Sequence, residues 1–314
     1  MRKSILFITG LLCAFQAFAF EKNLLVKESF NTDSITKLNF NLTYEDVVIQ
    51  KVYSDEITME IYSNYKKKLP SYEVNNKALE LKSTSSHIFN YDLCKIFLYI
   101  PEDYKMQEVL INTTSGDIQI NVLNAENMSI NSTSGDIDAE NINSDEDFSA
   151  TAISGDIDIE DIKAKTITLK TNSGDIDVEK TQVEDMNLRT TSGSIESDKF
   201  DGEYLSLESN SGSIECNNTG CSYFTASAIS GDITLILKNA PSAASSIKTK
   251  SGDIELVIPK NQGFDIVASS NSGRLHDEIN DTSTSARGEF HSSYYGGGSE
   301  ITVKTNSGDI TIDN

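Results

Sequence analysis

The tetrapeptide Ser-Gly-Asp-Ile recurs down the C-terminal two-thirds of the chain at a nearly constant interval, and few folds accept so rigid a period. It stands in full from Ser115, Ser134, Ser154, Ser173, Ser230, Ser251 and Ser307, and altered copies begin at Ser192, Ser211 and Ser272. Successive serines lie 19, 20, 19, 19, 19, 19, 21, 21 and 35 residues apart. A short fixed period means units that cannot bury an apolar face alone and do so by stacking.

Aligned on the serine, the copies share columns. Four positions before it the residue is small or aliphatic, as at Ile111, Ile130, Ala150, Leu169 and Leu188. Six positions before it stands a larger apolar residue, as at Val109, Met128, Phe148 and Ile167. The third position after it is Ile or Leu in every copy, and the fifth is usually apolar, as at Ile120, Ile159 and Val178. Both flanks alternate with period two, the strand period, and are rich in Thr, Ile and Val. Each unit reads as strand, sharp corner, strand and second turn. Glycine is expected at the corner for its access to positive φ.

The fold class that follows is all-β: a parallel β-solenoid of about ten rungs of 19–21 residues. At roughly 4.8 Å per rung the rod is roughly 45 Å long. Consecutive antiparallel hairpins are the second reading, since two-residue loops with Gly favour them.

Residues 1–19 have the parts of a secretory signal: Arg2 and Lys3, a short apolar run from Ile5 to Phe15, and Ala17-Phe18-Ala19 as a small-x-small cleavage site. The run is too short to span a bilayer comfortably. Cys13 follows Leu12, where a lipoprotein signal wants a small residue, so cleavage without lipid is expected. Loss of Arg2 and Lys3 takes the formal charge from −22 to −24. Such a surface repels nucleic acid and anionic lipid, and attracts cations or cationic peptides.

Residues 20–108 lack the repeat but alternate over Ile35–Leu42 and Ile57–Tyr62, and are expected to form an N-terminal β cap continuous with the rod. Lys66-Lys67-Lys68 with Pro70 reads as a loop. The repeats occupy 109–314, with an irregular insertion at 276–299 that suits either a binding loop or a disordered excursion. Export permits a disulfide between Cys216 and Cys221, but Cys216 falls in an inward column and suits a buried free thiol equally well. Cys94 is left over, beside Ile96 and Leu98.

These features resemble a bacterial family of secreted or envelope-associated, adhesin-like proteins with Ser-Gly-Asp β-strand repeats, a domain of unknown function. The resemblance rests on Ile100-Pro101 leading through Val109–Thr114 into the first Ser-Gly-Asp-Ile, on the repeated tripeptide, and on the ending Gly297–Ile310. It covers roughly residues 35–314. It implies a β-solenoid-like fold and an adhesin-like role, and carries no catalytic residues.

The residues themselves offer little chemistry. Corner aspartates Asp117, Asp136, Asp156 and Asp175 stack one rung apart, as either hydrogen-bonding turn residues or a calcium ladder. The next corners carry Ser194 and Ser213, poor calcium ligands, and Arg274 follows later, which favours the turn role. His87, His276 and His291 have no metal-type spacing, although the last two share the 276–299 segment. Tyr294-Tyr295 before Gly296-Gly297-Gly298 suits a binding tip or packing. With 48 acidic residues, carboxylate pairs of the glycosidase kind are not diagnostic, and the chain has no Trp. No catalytic, cofactor or metal residues are assigned. The expected function is an exported, non-enzymatic solenoid, periplasmic, surface-bound or secreted. It would act as an adhesin-like or envelope structural and binding protein with an unidentified surface ligand. The alternatives are an envelope-stress module that binds cationic peptides and, less favoured, a carbohydrate-active β-helix enzyme.

Overall fold

The computed structural model describes residues 23–64, 69–84, 93–285 and 287–314. The expected leader at 1–19, Lys66-Lys67-Lys68 and His87 lie outside the described residues. Among the described residues the structure is all-β apart from one short 3-10 turn, and no helix is long and apolar enough to cross a membrane.

Nine strands run up to the first Ser-Gly-Asp corner and just past it: β1 (Leu24–Asn31), β2 (Lys37–Asn41), β3 (Asp46–Val52), β4 (Glu56–Ser63), β5 (Ser71–Asn75), β6 (Ala78–Lys82), β7 (Cys94–Pro101), β8 (Lys105–Thr113) and β9 (Ile118–Ile120). The repeats continue as β10 (Leu123–Ser132), β11 (Ile137–Ser144), β12 (Asp147–Thr151), β13 (Ile157–Lys170), β14 (Ile176–Thr190), β15 (Ile195–Asp201) and β16 (Tyr204–Ser211). Then come β17 (Ile214–Thr219), β18 (Tyr223–Ser230), β19 (Ile233–Leu237), β20 (Ser245–Lys248) and β21 (Ile254–Val257). The last six are β22 (Phe264–Ser270), β23 (Arg274–Asp277), β24 (Thr282–Ser285), β25 (Phe290–Tyr294), β26 (Glu300–Thr305) and β27 (Ile310–Asp313).

Each corner passes the chain from one ladder to another, and like strands stack on like. The first ladder joins β8, β10, β12, the later parts of β13 and β14, β16, β18 and β20, all parallel. The second joins β9, β11, the earlier parts of β13 and β14, β15, β17, β19 and β21, also parallel. The repeats therefore do not pair as consecutive hairpins. Stacking keeps each inward column continuous, so Ile118, Ile137, Ile157, Ile176, Ile195, Ile214, Ile233 and Ile254 form one buried row. The architecture is solenoid-like.

The corner glycines answer a different need from the one expected. Among the described residues, positive φ at glycine is confined to Gly252, Gly288, Gly296, Gly297 and Gly308, which leaves most corners out. A Cβ on Gly174 would instead stand 2.0 Å from the carbonyl oxygen of Gly155 in the adjacent layer. Glycine is required because backbone stacks on backbone. The hydroxyl two positions before the serine completes the corner: Thr171 Oγ1 donates to the Gly155 carbonyl and accepts from the Gly174 N–H. Buried Thr190 and Ser209 likewise donate to Gly174 and Gly193. This explains why a buried column is polar at no cost in unpaired groups.

A second bend was hidden by the alternation. Asn141, Asp161, Lys180, Lys199 and Asn218, each seven residues after its serine, have φ between 52° and 60°. The kink turns Ile142, Ile162, Thr181, Phe200 and Thr219 into the core.

The ends depart from sequence order. The layer formed by β2 and β3 lies between that of β6 and β7 and that of β8 and β9. At the other end, β26 and β27 slot between β20 and β21 on one side and β22 and β23 on the other. The interval of 35 residues before Ser307 arises here, because the chain builds its outermost layer first and then returns beneath it. Within 276–299 the described residues include two strands, β24 and β25, which pair antiparallel with β23 and β22 and close the rod, where a disordered excursion was one of the two expectations. Tyr294 anchors it, stacking on Phe264 at 4.7 Å and donating to Asp277 Oδ2 at 3.0 Å.

Candidate functional site

The outward side of the second ladder carries three acidic columns. The corner column holds Asp46, Asp117, Asp136, Asp156 and Asp175, and in each the carboxylate accepts from the backbone N–H of the next corner. Asp117 donates its N–H to Asp46 Oδ1 at 3.1 Å, Asp136 to Asp117 at 3.1 Å, Asp156 to Asp136 at 3.0 Å, Asp175 to Asp156 at 2.8 Å and Ser194 to Asp175 at 2.7 Å. These aspartates do bond backbone, as expected, but across layers rather than within their own turns: one oxygen of each carboxylate is committed to the N–H of the next layer.

Two positions further along stands a column absent from the sequence reading: Gln119, Asp138, Asp158, Asp177, Glu196 and Glu215, in direct register. Beside it run Glu140, Glu160, Glu179 and Asp198. Asp138, Glu140, Asp158, Glu160, Asp177 and Glu179 line one shallow open groove. The signal was present in the sequence, since an acidic residue follows the corner isoleucine in five successive copies, at Asp138, Asp158, Asp177, Glu196 and Glu215.

Like charges directly opposite on a ladder repel, and the crowding shows in the proton affinities. Desolvation by neighbouring side chains, then the charges of Asp138, Asp177, Asp156 and Asp136, push Asp158 up to about 6. Desolvation, then Asp136 and Asp117, raises Asp138. Desolvation followed by Glu179 raises Asp177, and desolvation followed by Asp177 and Glu215 raises Glu196. Cations serve only the outer column: Lys180 pairs with Glu160, and Lys199 with Glu179 at 3.0 Å and Asp198 at 2.6 Å. The kink at residues 180 and 199 aims both lysines there. Among the described residues no ion pair reaches Asp138, Asp158, Asp177 or Glu196 of the middle column.

The first ladder presents a different surface. Ser129, Ser149, Thr168, Asn187, Ser206, Thr225, Ser246 and Thr302 stack in register as a row of short hydroxyl and amide groups. Tyr204 and Tyr223 stack beside it at 4.6 Å. The two ladders therefore differ, one with a carboxylate face and one with a nearly neutral polar face, and beyond the kink a third stretch stacks in register and exposes Lys163, Gln182 and Asp201.

The other residues singled out by sequence do not assemble into a site. His276 lies on β23 in the second ladder, 3.6 Å from Asp309, whereas His291 lies on β25 in the first, 3.6 Å from Glu289. Among the described residues no group of three or more His, Cys, Asp or Glu has a metal-holding arrangement. Tyr294 is packing, while Tyr295 is exposed. Cys94, Cys216 and Cys221 are all buried free thiols, and burial pushes Cys94 and Cys221 up to about 12.

A sequence profile described as Toastrack DUF4097 matches residues 35–199 and again 142–313. A search of curated proteins finds no significant match. Among solved structures, a candidate adhesin from Bacteroides fragilis is 15% identical, with 92% of this chain and 96% of that one covered at a TM-score of 0.36. A candidate lipid binding protein from Parabacteroides distasonis is 14% identical, with coverage of 91% and 96% and a TM-score of 0.42. A candidate cell adhesion protein from Clostridium sporogenes is 14% identical, with coverage of 92% and 98% and a TM-score of 0.23.

Proposed function

The chain belongs to the Toastrack DUF4097 family, and from that premise we propose that it is an exported, non-enzymatic β-solenoid that acts as an adhesin-like or cell-envelope binding rod. Residues 1–19 are its export signal, 20–108 its N-terminal cap and 109–314 the rod of about ten repeats. The carboxylate face is the contact surface, and its ligand is cationic. The observation that carries this reading is the uncompensated middle column, Asp138, Asp158, Asp177 and Glu196. It holds like charges in register at a cost to folding, as its raised proton affinities indicate. A contact surface is a reason to keep such a column.

Two measurements test this. Antibody labelling of intact cells supports adhesion, whereas labelling only after permeabilisation moves the reading to a periplasmic scaffold. Binding of the purified protein to immobilised oligolysine should fall at least ~10-fold in a D138N/D158N/D177N/E196Q variant and vanish at high ionic strength. Equal binding by that variant would remove the face from the proposal.

The same column favours the second reading, a periplasmic envelope-stress module that captures cationic peptides. Labelling confined to permeabilised cells, together with salt-sensitive peptide binding, selects it. A carbohydrate-active enzyme would need product release from a glycan panel, and the groove lined by Asp138, Asp158 and Asp177 is open rather than an enclosed cleft.

A further inference from the structure

The two ends of the rod are finished differently. At the C-terminal end each ladder stops one antiparallel strand beyond its last parallel strand, at β25 and β24, so the end is level. Its core-facing groups are mixed: Phe290 and Tyr294 of β25 stand opposite Ala268 and Phe264, and the second ladder ends on polar groups. Asp277, buried in the inward column, accepts from Tyr294 Oη, from Asn280 Nδ2 and from the Asn280 N–H. Thr282 and Thr284 stand opposite Asp277 and Leu275.

At the N-terminal end the first ladder stops at β5, one strand beyond β6. The second ladder runs two strands beyond β7, through β4 and then β1. Among the described residues it therefore overhangs the first by one strand, and no strand pairs with the outer edge of β5. Apart from Glu28, the residues facing that step are aliphatic or aromatic. Tyr72 and Val74 lie in register with the core residues Leu81 and Leu79, yet they are 36% and 43% exposed. Across the step, Val26, Glu28 and Phe30 of β1 lie in register with buried Ile61, Met59 and Ile57, and Val26 and Phe30 are only partly covered. Tyr72 Oη donates to Glu28 Oε1 at 3.0 Å, which ties the two inner rows together and gives the one carboxylate among them a partner.

We propose that this end is the interface of a two-fold dimer, in which the overhanging β1 of each copy pairs with the outer edge of β5 of the other. A two-fold axis lying midway between the ladders, along the strand direction, exchanges the two sides and keeps interior facing interior. The partner's β1 then continues the first ladder and the partner's β5 continues the second, so that both open edges of each copy are paired at once. The Val26 and Phe30 rows of the two copies face each other and cover Tyr72 and Val74. A bound peptide would fill the position beside β5 and leave the edge of β1 open, whereas a second copy closes both. The level C-terminal end offers no overhang. The flanks repel one another, since the chain carries a formal charge of −22. A closed two-fold contact is also the commonest way for a chain to meet itself.

The test is sedimentation of the protein purified as its cell processes it, over a range of concentrations, with two single variants. The expected result is a concentration-dependent dimer that Val74→Lys weakens at least ~10-fold and that Thr284→Lys, at the opposite end, leaves unchanged. A readout free of substitutions is amide exchange, which should slow in 24–31 and 71–75 as concentration rises. A monomer at every concentration, a dimer indifferent to Val74→Lys, or a dimer broken equally by Thr284→Lys would overturn the proposal. None of these outcomes depends on whether the carboxylate face binds oligolysine.

Discussion

Gly174 illustrates what a repeated residue does in this molecule. Its missing Cβ would overlap the Gly155 carbonyl oxygen at 2.0 Å and press on Asp156 Oδ1 at 2.9 Å. Neither layer can move alone, because its neighbours on both sides are stacked the same way. Gly174→Ala should therefore cost about 3 kcal/mol or more, read as a lower urea midpoint. The column of glycines was legible in the sequence, but its cause was not, since a turn that needs positive φ and a stack that needs close approach select the same residue. Asp158 argues from the opposite side. Its carboxyl is raised to about 6 in the fold against an ordinary carboxylate value near 4 when unfolded. Between those values the folded chain binds more protons than the unfolded one, so stability rises as pH falls from 7 through 6 towards 4. Asp158→Asn should raise Tm at pH 7, and the difference should shrink towards nothing near pH 4. A variant that melts below the parent at pH 7 would show that Asp158 makes a favourable contact instead.

Among the elements, the strands were legible and their order was not. Alternation and the aligned columns specify which residues face inward, and Leu38, Val109, Met128, Phe148 and Ile167 do form one row. Nothing in a column says which layer lies next to which, because Val303 fits equally well beside Ala268 and beside Ile247. The kink at Lys180 and Lys199 was equally hidden, since lysine has no preference for the left-handed region that Asn141 and Asn218 tolerate. Out-of-order insertion makes β26 and β27 a keystone: they are the ladder connection between β20–β21 and β22–β23. Deleting residues 300–314 should abolish amide protection across 264–294 and leave 157–219 protected, as followed by hydrogen exchange. Retained protection across 264–294 would mean that the two layers close up without the insert.

The whole molecule extends the solenoid beyond the repeats that announce it. Residues 37–52 have no Ser-Gly-Asp, yet Phe40 joins the row of Ile111 and Ile130, and Val47 the row of Ile118. Glu45 stands where the repeat layers have glycine, buried, with Oε2 accepting from the N–H groups of Thr43 and Tyr44 and from Ser83 Oγ. A carboxylate in a glycine column broke the only motif by which this layer could have been recognised. The carboxylate face was half legible: its corner column was read as turn residues, and the column beside it was on the page but unremarked.

The two out-of-order layers also bear on how such chains vary. Each lies at an end, and between them every layer contacts only its sequence neighbours. Adding or deleting one 19-residue unit around Ser154–Ser211 would leave both ends untouched and change the reach of the rod by a step of about 4.8 Å. The chain is built like a ruler with fixed end-stops, on which selection can set the distance between whatever is held at either end.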